Sequence, residues 1–569
     1  MALWQKFVFV VTGYWILERL SRWLPACEHL GKKDRLINST NRLFPAFKYL
    51  IPKAKKKTSL WHRLSRRTAM IHLCIMMILG LGIAPLFTYL EQLPVVMEVE
   101  DAVGMDWLMR ISQNIIPSAQ EKNIPRFVLL DIDSDTHKQW GEPLFTPRNR
   151  IQRLIEAAVK AEARLIVVDI DLSRPTPIEG LPLDIELHPY DTNLANYLKG
   201  YPNYCKINPN CPTIILARSF LKQNTEIAKP VFSTDAAPTT LLPTLQPRQA
   251  FLVLEQAVAN SEAHIQWASP LFYKSRDNIL RRWSFWQPIC TEQQSGIIPS
   301  IGVLAAILLE SDTPKLAKDT INQKLEHFQP QCTNGKTQQP SHVPQEIKIG
   351  SLTLNTNPFS VRQRILYGMS WLQYDGKPHQ LPYFLPDKAN NAILIILPAK
   401  FYATSNSQAS LNSLKNSVVV IGGSHYEGHD IHETPLGKMP GTLVLINAMH
   451  SLLQYGDIKP LPNWVKQLII ATLILVMVII FLGVDSFWKG QVLNLLLVFI
   501  LLPISIALFR YGYWLNFATP LIFVQFYQIA VFGVIIMLCL LLSGWRWTLF
   551  GWRWIQRWFE LTVFSKKEE

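Results

Sequence analysis

Apolar residues in this chain fall into two kinds of run. Long charge-free stretches stand near the two ends, and short ones punctuate the middle. Ala69 to Leu90 carries no charge, and about 20 apolar residues suffice to cross a bilayer as a helix. Three more such runs lie toward the C-terminus. Leu468 to Val484 stands between Lys466 and Asp485, and Val492 to Leu508 between Lys489 and Arg510. The third stretch separates Arg510 from Arg546, with its best spanning part at about Pro520 to Ser543. The pattern therefore predicts one transmembrane helix before the middle region and three after it. Phe7 to Leu17, bounded by Lys6 and Glu18, is too short to span and reads as a helix lying on the membrane surface.

Residues 91–464 contain no spanning run and are long enough to bury a core. Their short apolar runs are Phe127–Ile132, Leu165–Ile170, Thr213–Ala217, Ala392–Leu397 and Ser417–Ile421. These runs are continuous rather than alternating, which suits strands buried on both faces of a parallel sheet. Between the first two lies a helix, with Thr146 to cap it, Pro147 in its first turn, and an apolar stripe of Ile151, Leu154, Ile155, Ala158 and Val159. Strand, helix, strand makes a βαβ unit with a right-handed crossover. A further helix follows the last strand, carrying Leu445, Ala448, Met449 and Leu452 on one face. Residues 311–345, rich in Lys, Gln, Thr and Pro, read as a surface insertion or mobile loop within a longer region near 311–392. The expected fold is thus an α/β domain, a mostly parallel sheet flanked by helices, joined to four transmembrane helices.

Charge orients this arrangement. Residues 1–67 hold 15 Lys and Arg against Glu18, Glu28 and Asp34, so +12 of the formal +14 lies there, ending at Arg66–Arg67 against the first long run. Such a basic flank marks the cytoplasmic side. It predicts residues 1–67 inside, 68–90 crossing, 91–464 extracytoplasmic, 465–544 crossing three times, and 545–569 inside again. The tail agrees: Arg546, Arg553, Arg557, Lys566 and Lys567 interleave with Trp545, Trp547, Trp552, Trp554 and Trp558, the pattern of an amphipathic helix in the lipid interface. Membrane lipid is accordingly an expected partner and nucleic acid is not.

Several segments resemble the CHASE type 2 domain, an extracytoplasmic sensor domain of bacterial receptors. They are Phe127-Val-Leu-Leu-Asp-Ile-Asp133, Trp140-Gly141, Pro147-Arg148 and Ala163 to Asp171. Ala263-His264-Ile265, Arg276 to Arg282 and Ile298-Pro299-Ser300 match more loosely. The most specific part is Val418 to Gly423, then Asp430-Ile-His-Glu-Thr-Pro-Leu-Gly437, Met439-Pro-Gly441 and Asn447. The resemblance spans roughly 95–460 and extends to the layout of one helix before the domain and three after. It departs at Glu142-Pro143-Leu144-Phe145, where the family usually has a Trp-Pro-Trp stretch, and in a longer region at 311–392. It implies a sensor in a bacterial inner membrane. Family members commonly continue into a kinase or cyclase. Here about 25 residues follow the last run, with no P-loop or kinase Gly-rich loop among them, so the expected output is a separate protein.

Candidate chemistry gathers at strand ends. Asp131 and Asp133 share one face at the end of the first strand, and Asp169 and Asp171 do the same on a second. Open α/β sheets bind ligands at that edge. Four carboxylates there suit a cation, an amine or a polyhydroxy ligand, or else they cap helices and tie loops. Gly422 and Gly423 end a strand as a minimal phosphate cradle, and Asp430 and Thr434 belong to the family pattern. His425, His429 and His432 beside Asp430 offer metal ligands without a strong metal spacing. Of seven cysteines, Cys205, Cys211, Cys290 and Cys332 share the middle region. An oxidising compartment favours disulfides, with Cys205–Cys211 and Cys290–Cys332 the preferred pairing and the other two open.

Together these point to a membrane-anchored sensor or scaffold, not an enzyme, without a cofactor. It would bind an unknown extracytoplasmic ligand and act through a membrane protein partner or a second copy of itself. The alternatives are a periplasmic metal-dependent enzyme or a structural subunit of an envelope complex.

Overall fold

The computed structural model describes residues 104–112, most of 124–483, and short pieces at 503–508 and 513–514. The head at 1–67, the run at 69–90, Pro520–Ser543, the tail at 545–569 and most of Val492–Leu508 lie outside the described residues, as does His429. Two compact units are present. One comprises 101–460 with 506–515, and the other 1–100, 461–505 and 516–569.

The first unit is built on a seven-stranded sheet. Its strands in chain order are β1 (Phe127–Ile132), β2 (Leu165–Val168), β3 (Thr213–Ala217), β4 (Ile265–Ala268), β5 (Tyr383–Pro386), β6 (Ala392–Pro398) and β7 (Val418–Gly423). In space they run β5–β6–β1–β7–β2–β3–β4. All neighbours are parallel except β5, which lies antiparallel on β6 at the edge. The last strand therefore sits between the first two: β1 and β2 each pair with β7 and not with each other. Every residue of β1 and β2 is buried, as continuous apolar runs require.

Helices cover both faces. Short α1 (Asp106–Ser112) precedes the sheet, and α2 (Ser134–Gln139) follows β1. Then come α3 (Arg148–Lys160), α4 (Pro189–Ile207) and α5 (Leu252–Ala259). Their buried stripes, including Ile151, Leu154, Ile155, Leu194, Leu198 and Leu254, form one core with Val128, Leu130, Ile166, Val168, Ile214, Val419 and Ile421. The alternate strand residues meet α6 (Ile301–Glu310) and, after α7 (Pro314–Leu325), α8 (Gly441–Tyr455) on the other face. An apolar helix such as α6, IGVLAAILLE, is buried nearly all round, and the Ser300 hydroxyl caps it by accepting from Val303 N at 3.3 Å.

Three expectations change here. Thr146 does not cap α3: Pro147 occupies that position, its carbonyl accepting from Arg150 N and Ile151 N at 2.9 and 3.1 Å. The expected loop at 311–345 contains α7, which Thr313 caps and Pro314 opens, with Ala317, Ile321 and Leu325 buried at intervals of four. The region near 311–392 is also more than a surface insertion. It supplies the edge strand β5, and Arg362–Arg364 joins Leu280–Ser284 and Phe272–Lys274 in a second, three-stranded sheet.

That second sheet anchors α1. Asp106 is buried and pairs with Arg281 at 2.8 Å and Arg364 at 2.9 Å, while Arg281 also meets Asp277 at 2.7 Å. Buried charges are tolerated when opposed and hydrogen-bonded in this way.

In the second unit, α9 (Asn463–Gly483) has 21 residues and one charge, Lys466. Its side chains are described over only part of its length, where Trp464, Leu468, Leu475 and Ile479 are exposed. Among the described residues, no helix is long and apolar enough to cross a membrane.

Candidate functional site

The carboxyl edge of the sheet is capped by the start of α8. Asp131 in β1 and Gly422 in β7 are register partners, and Asp169, just past β2, donates its N–H to Ile421 O at 2.8 Å. Asp131 and Asp169 therefore flank Gly422, two strand spacings or about 9.5 Å apart along the edge. The space above Gly422 is taken by Thr442, whose side chain a Cβ on Gly422 would strike. Gly441, first residue of α8, is bare for the same reason, since a Cβ there would strike the Asp430 carboxylate. Pro440 at the helix N-cap offers no side-chain cap. The Asp430 carboxylate thus sits where a helix N-terminus favours negative charge.

The four expected strand-end acids divide into two kinds. Asp133 is a helix cap, accepting from Thr136 N at 2.8 Å, and Asp171 ties a turn by accepting from Ser173 N at 2.8 Å. Asp131 is different. It is fully buried; Ser424 Oγ donates to its Oδ2 at 2.6 Å, while Oδ1 finds no hydrogen-bond partner. Burial, reinforced by nearby Asp133 and opposed by Ser424, pushes its carboxyl up to about 7. Asp169 is also raised, first by burial and then by Asp430. Thr442 and His432 ease it in the other direction, although the Thr442 hydroxyl closes no well-formed hydrogen bond.

The hairpin that follows β7 is β8 (Ile431–Thr434) and β9 (Gly437–Pro440). Thr434 serves the hairpin itself, donating to Gly437 O at 2.7 Å and accepting from Leu436 N at 3.2 Å. His432 Nε2 lies 2.9 Å from Asp430 Oδ1. His425 is partly buried, its Nδ1 3.1 Å from Ile132 O, and its ring stacks on His137 with centroids 4.3 Å apart. Burial and then His137 hold the His425 imidazole below its usual value. The space beside Gly423 is filled by His425, whose Nδ1 would lie 2.9 Å from a Cβ there. Both glycines are thus backed by side chains. Among the described residues of this loop, no three His, Cys, Asp or Glu donors gather within 4.8 Å of one another.

Of the cysteines, Cys205 and Cys211 form a disulfide with Cα atoms 5.2 Å apart. Cys290 and Cys332 lie on strands, with their side chains outside the described residues.

Sequence reasoning missed Ser424, Thr442 and His137, and named Gly441 only as part of the family pattern. Ser424 directly follows the glycine pair, and Gly441 takes the first helical position after a proline. Both were visible signals of close packing at this edge.

The arrangement offers a buried, protonatable acid, a second raised acid, and an Asp–His pair under a helix start. That set receives positive charge or hydrogen-bond donors better than anions. A family model described as the CHASE2 domain matches residues 73–482. No curated protein and no solved structure matches the chain.

Proposed function

Because the chain belongs to the CHASE2 domain family, whose members are extracellular sensory domains, we propose that it is an envelope sensor with a ligand pocket at the carboxyl edge of its sheet. The carrying observation is Asp131, fully buried with Oδ1 unpartnered. A buried carboxyl with one oxygen left without a partner is costly unless something completes it. Farther along the same edge, across Gly422, Asp169, Asp430 and His432 add groups receptive to an amine, a divalent cation or a hydroxyl-rich molecule.

The surroundings suit a relay. Asp430 touches the start of α8, and the chain leaves α8 toward α9 after a short connection. The tip of the β8–β9 hairpin reaches the other flank, where Arg110 Nε in α1 donates to Pro435 O at 2.7 Å. A ligand that moves Asp430 would bias both flanks together. In this reading the four apolar runs cross an inner membrane, residues 91–464 lie outside, and a separate membrane protein or a second copy reads the shift without catalysis by this chain. The exposed apolar residues of α9 support lipid or helix contact.

Thermal melting of the full-length protein with calcium, spermidine or a neutral disaccharide tests the pocket. One of the three is expected to raise the melting temperature, and Asp131→Asn to reduce that rise more than it changes the unliganded value. Equal ligand shifts in wild type and variant would remove the pocket from this edge.

A further inference from the structure

The opposite, amino-terminal edge of the sheet holds a second cluster. Cys205 lies in the last turn of α4, Cys211 just before β3, and His264 just before β4. One donor atom from each of these three side chains lies within 4.8 Å of the other two. Their backbones are held by bonds that do not involve sulfur. Ile214 N donates to His264 O at 2.9 Å, and His264 N to Ser261 O at 2.9 Å. Tyr201 Oη donates to Pro212 O at 2.6 Å, Cys211 N to Asn208 O at 3.1 Å, and Asn208 N to Tyr204 O at 3.1 Å. Opening the disulfide would therefore leave both thiols and the imidazole facing one another.

We propose that this cluster is a redox-gated metal site, closed as the Cys205–Cys211 disulfide and open, when reduced, to one thiophilic cation, Zn(II) or Cu(I). Two thiolates and an imidazole are the donors such ions select. Ligands held at about 2.0–2.3 Å around a tetrahedral or trigonal ion stand roughly 3.3–4 Å apart, so small side-chain rotations suffice. The chemistry balances as two steps. An external dithiol supplies two electrons and two protons, breaking the sulfur–sulfur bond to give two thiols and leaving as its own disulfide. The metal ion then displaces both thiol protons. Water completes the zinc sphere, whereas Cu(I) is satisfied by three donors. The site is independent of the carboxylate pocket, since it rests on the other edge of the sheet.

The test uses the full-length protein, reduced anaerobically with a phosphine, freed of reductant and titrated with Co(II) as a spectroscopic stand-in for zinc. The expected result is a thiolate-to-cobalt absorption band saturating at one equivalent above the background of the Cys205→Ser/Cys211→Ser variant, and bleached by zinc. His264→Ala is expected to weaken cobalt binding at least about tenfold, since even outer-shell losses cost roughly that much. His264→Cys, which offers a third thiolate, is expected to restore it. The oxidised protein should give no band. A reduced wild type no different from the double variant, unchanged affinity in His264→Ala, or a disulfide that resists the phosphine in the native protein would each overturn the proposal.

Discussion

Asp131 is fully buried, and although Ser424 donates to one of its two oxygens, burial keeps its carboxyl protonated up to about pH 7, against 3.8 when unburied. The unfolded chain loses this proton first as pH rises. Native stability conferred by the protonated group is therefore present below about pH 4, falls between pH 4 and 7, and is flat beyond, by roughly 4 kcal/mol in all at about 1.4 kcal/mol per unit. The melting temperature is expected to decline from pH 4.5 to 7.5, and Asp131→Asn to flatten much of that decline. Asp169 shifts in the same direction and should leave a residual slope. An unaltered slope in the variant would assign the titration elsewhere. Arg148 marks the opposite case. It is buried against Asp191 at 3.5 Å and donates to the carbonyls of Asp171 and Arg174 at 3.2 and 2.9 Å. Its role is to fasten the loop after β2.

At the scale of elements, α8 matters most. Asn447 on its buried face accepts from Gly368 N and Met369 N at 3.0 Å each, and donates to Met369 O at 3.1 Å. The segment beside it is thus tied to the helix that covers the candidate pocket. Asn447→Ala strands those backbone groups and is expected to cost about 3 kcal/mol in denaturant unfolding; a loss near zero would mean the segment has other support. The central strands were legible in the sequence because burial on two faces writes an unbroken apolar run. Edge strand β5, YFLP, lacks such a run and was missed as a strand, and short β4, IQWA, was signalled only by the looser family match at Ala263-His264-Ile265. Helix α7 was hidden because three buried positions among Lys, Gln and Thr resemble a loop. Alternation placed Asp131 and Asp169 at one edge. It could not separate them from Asp133 and Asp171, whose local capping depends on the turn each enters. Thr442 depends on how α8 docks over Gly422, which no local pattern records.

For the whole molecule, the charge asymmetry makes a topological prediction. Reporter fusions at Lys57 and Ser565 are expected to be active only in the cytoplasm and one at Gly335 only outside it. A periplasm-only reporter active at Ser565 would overturn the four-crossing arrangement. Cross-linking in intact cells should capture a membrane partner or a second copy. That product should persist without residues 552–569 and disappear when the last three apolar runs are replaced by a single unrelated anchor.

The position of β7 has a consequence for biogenesis. Strands β1 and β2 are separated by a slot that only residues 418–423 fill, so hundreds of residues must be synthesised before the middle of the sheet can zip shut. Until then two apolar strand edges stay unpaired, the state in which chains aggregate and proteases cut. Contacts so distant in sequence also fold slowly. If residues 91–464 are exported as proposed, their emergence outside the membrane is a vulnerable interval that ends when β7 arrives. The strand that carries Gly422 of the proposed pocket is thus also the latch that completes the domain.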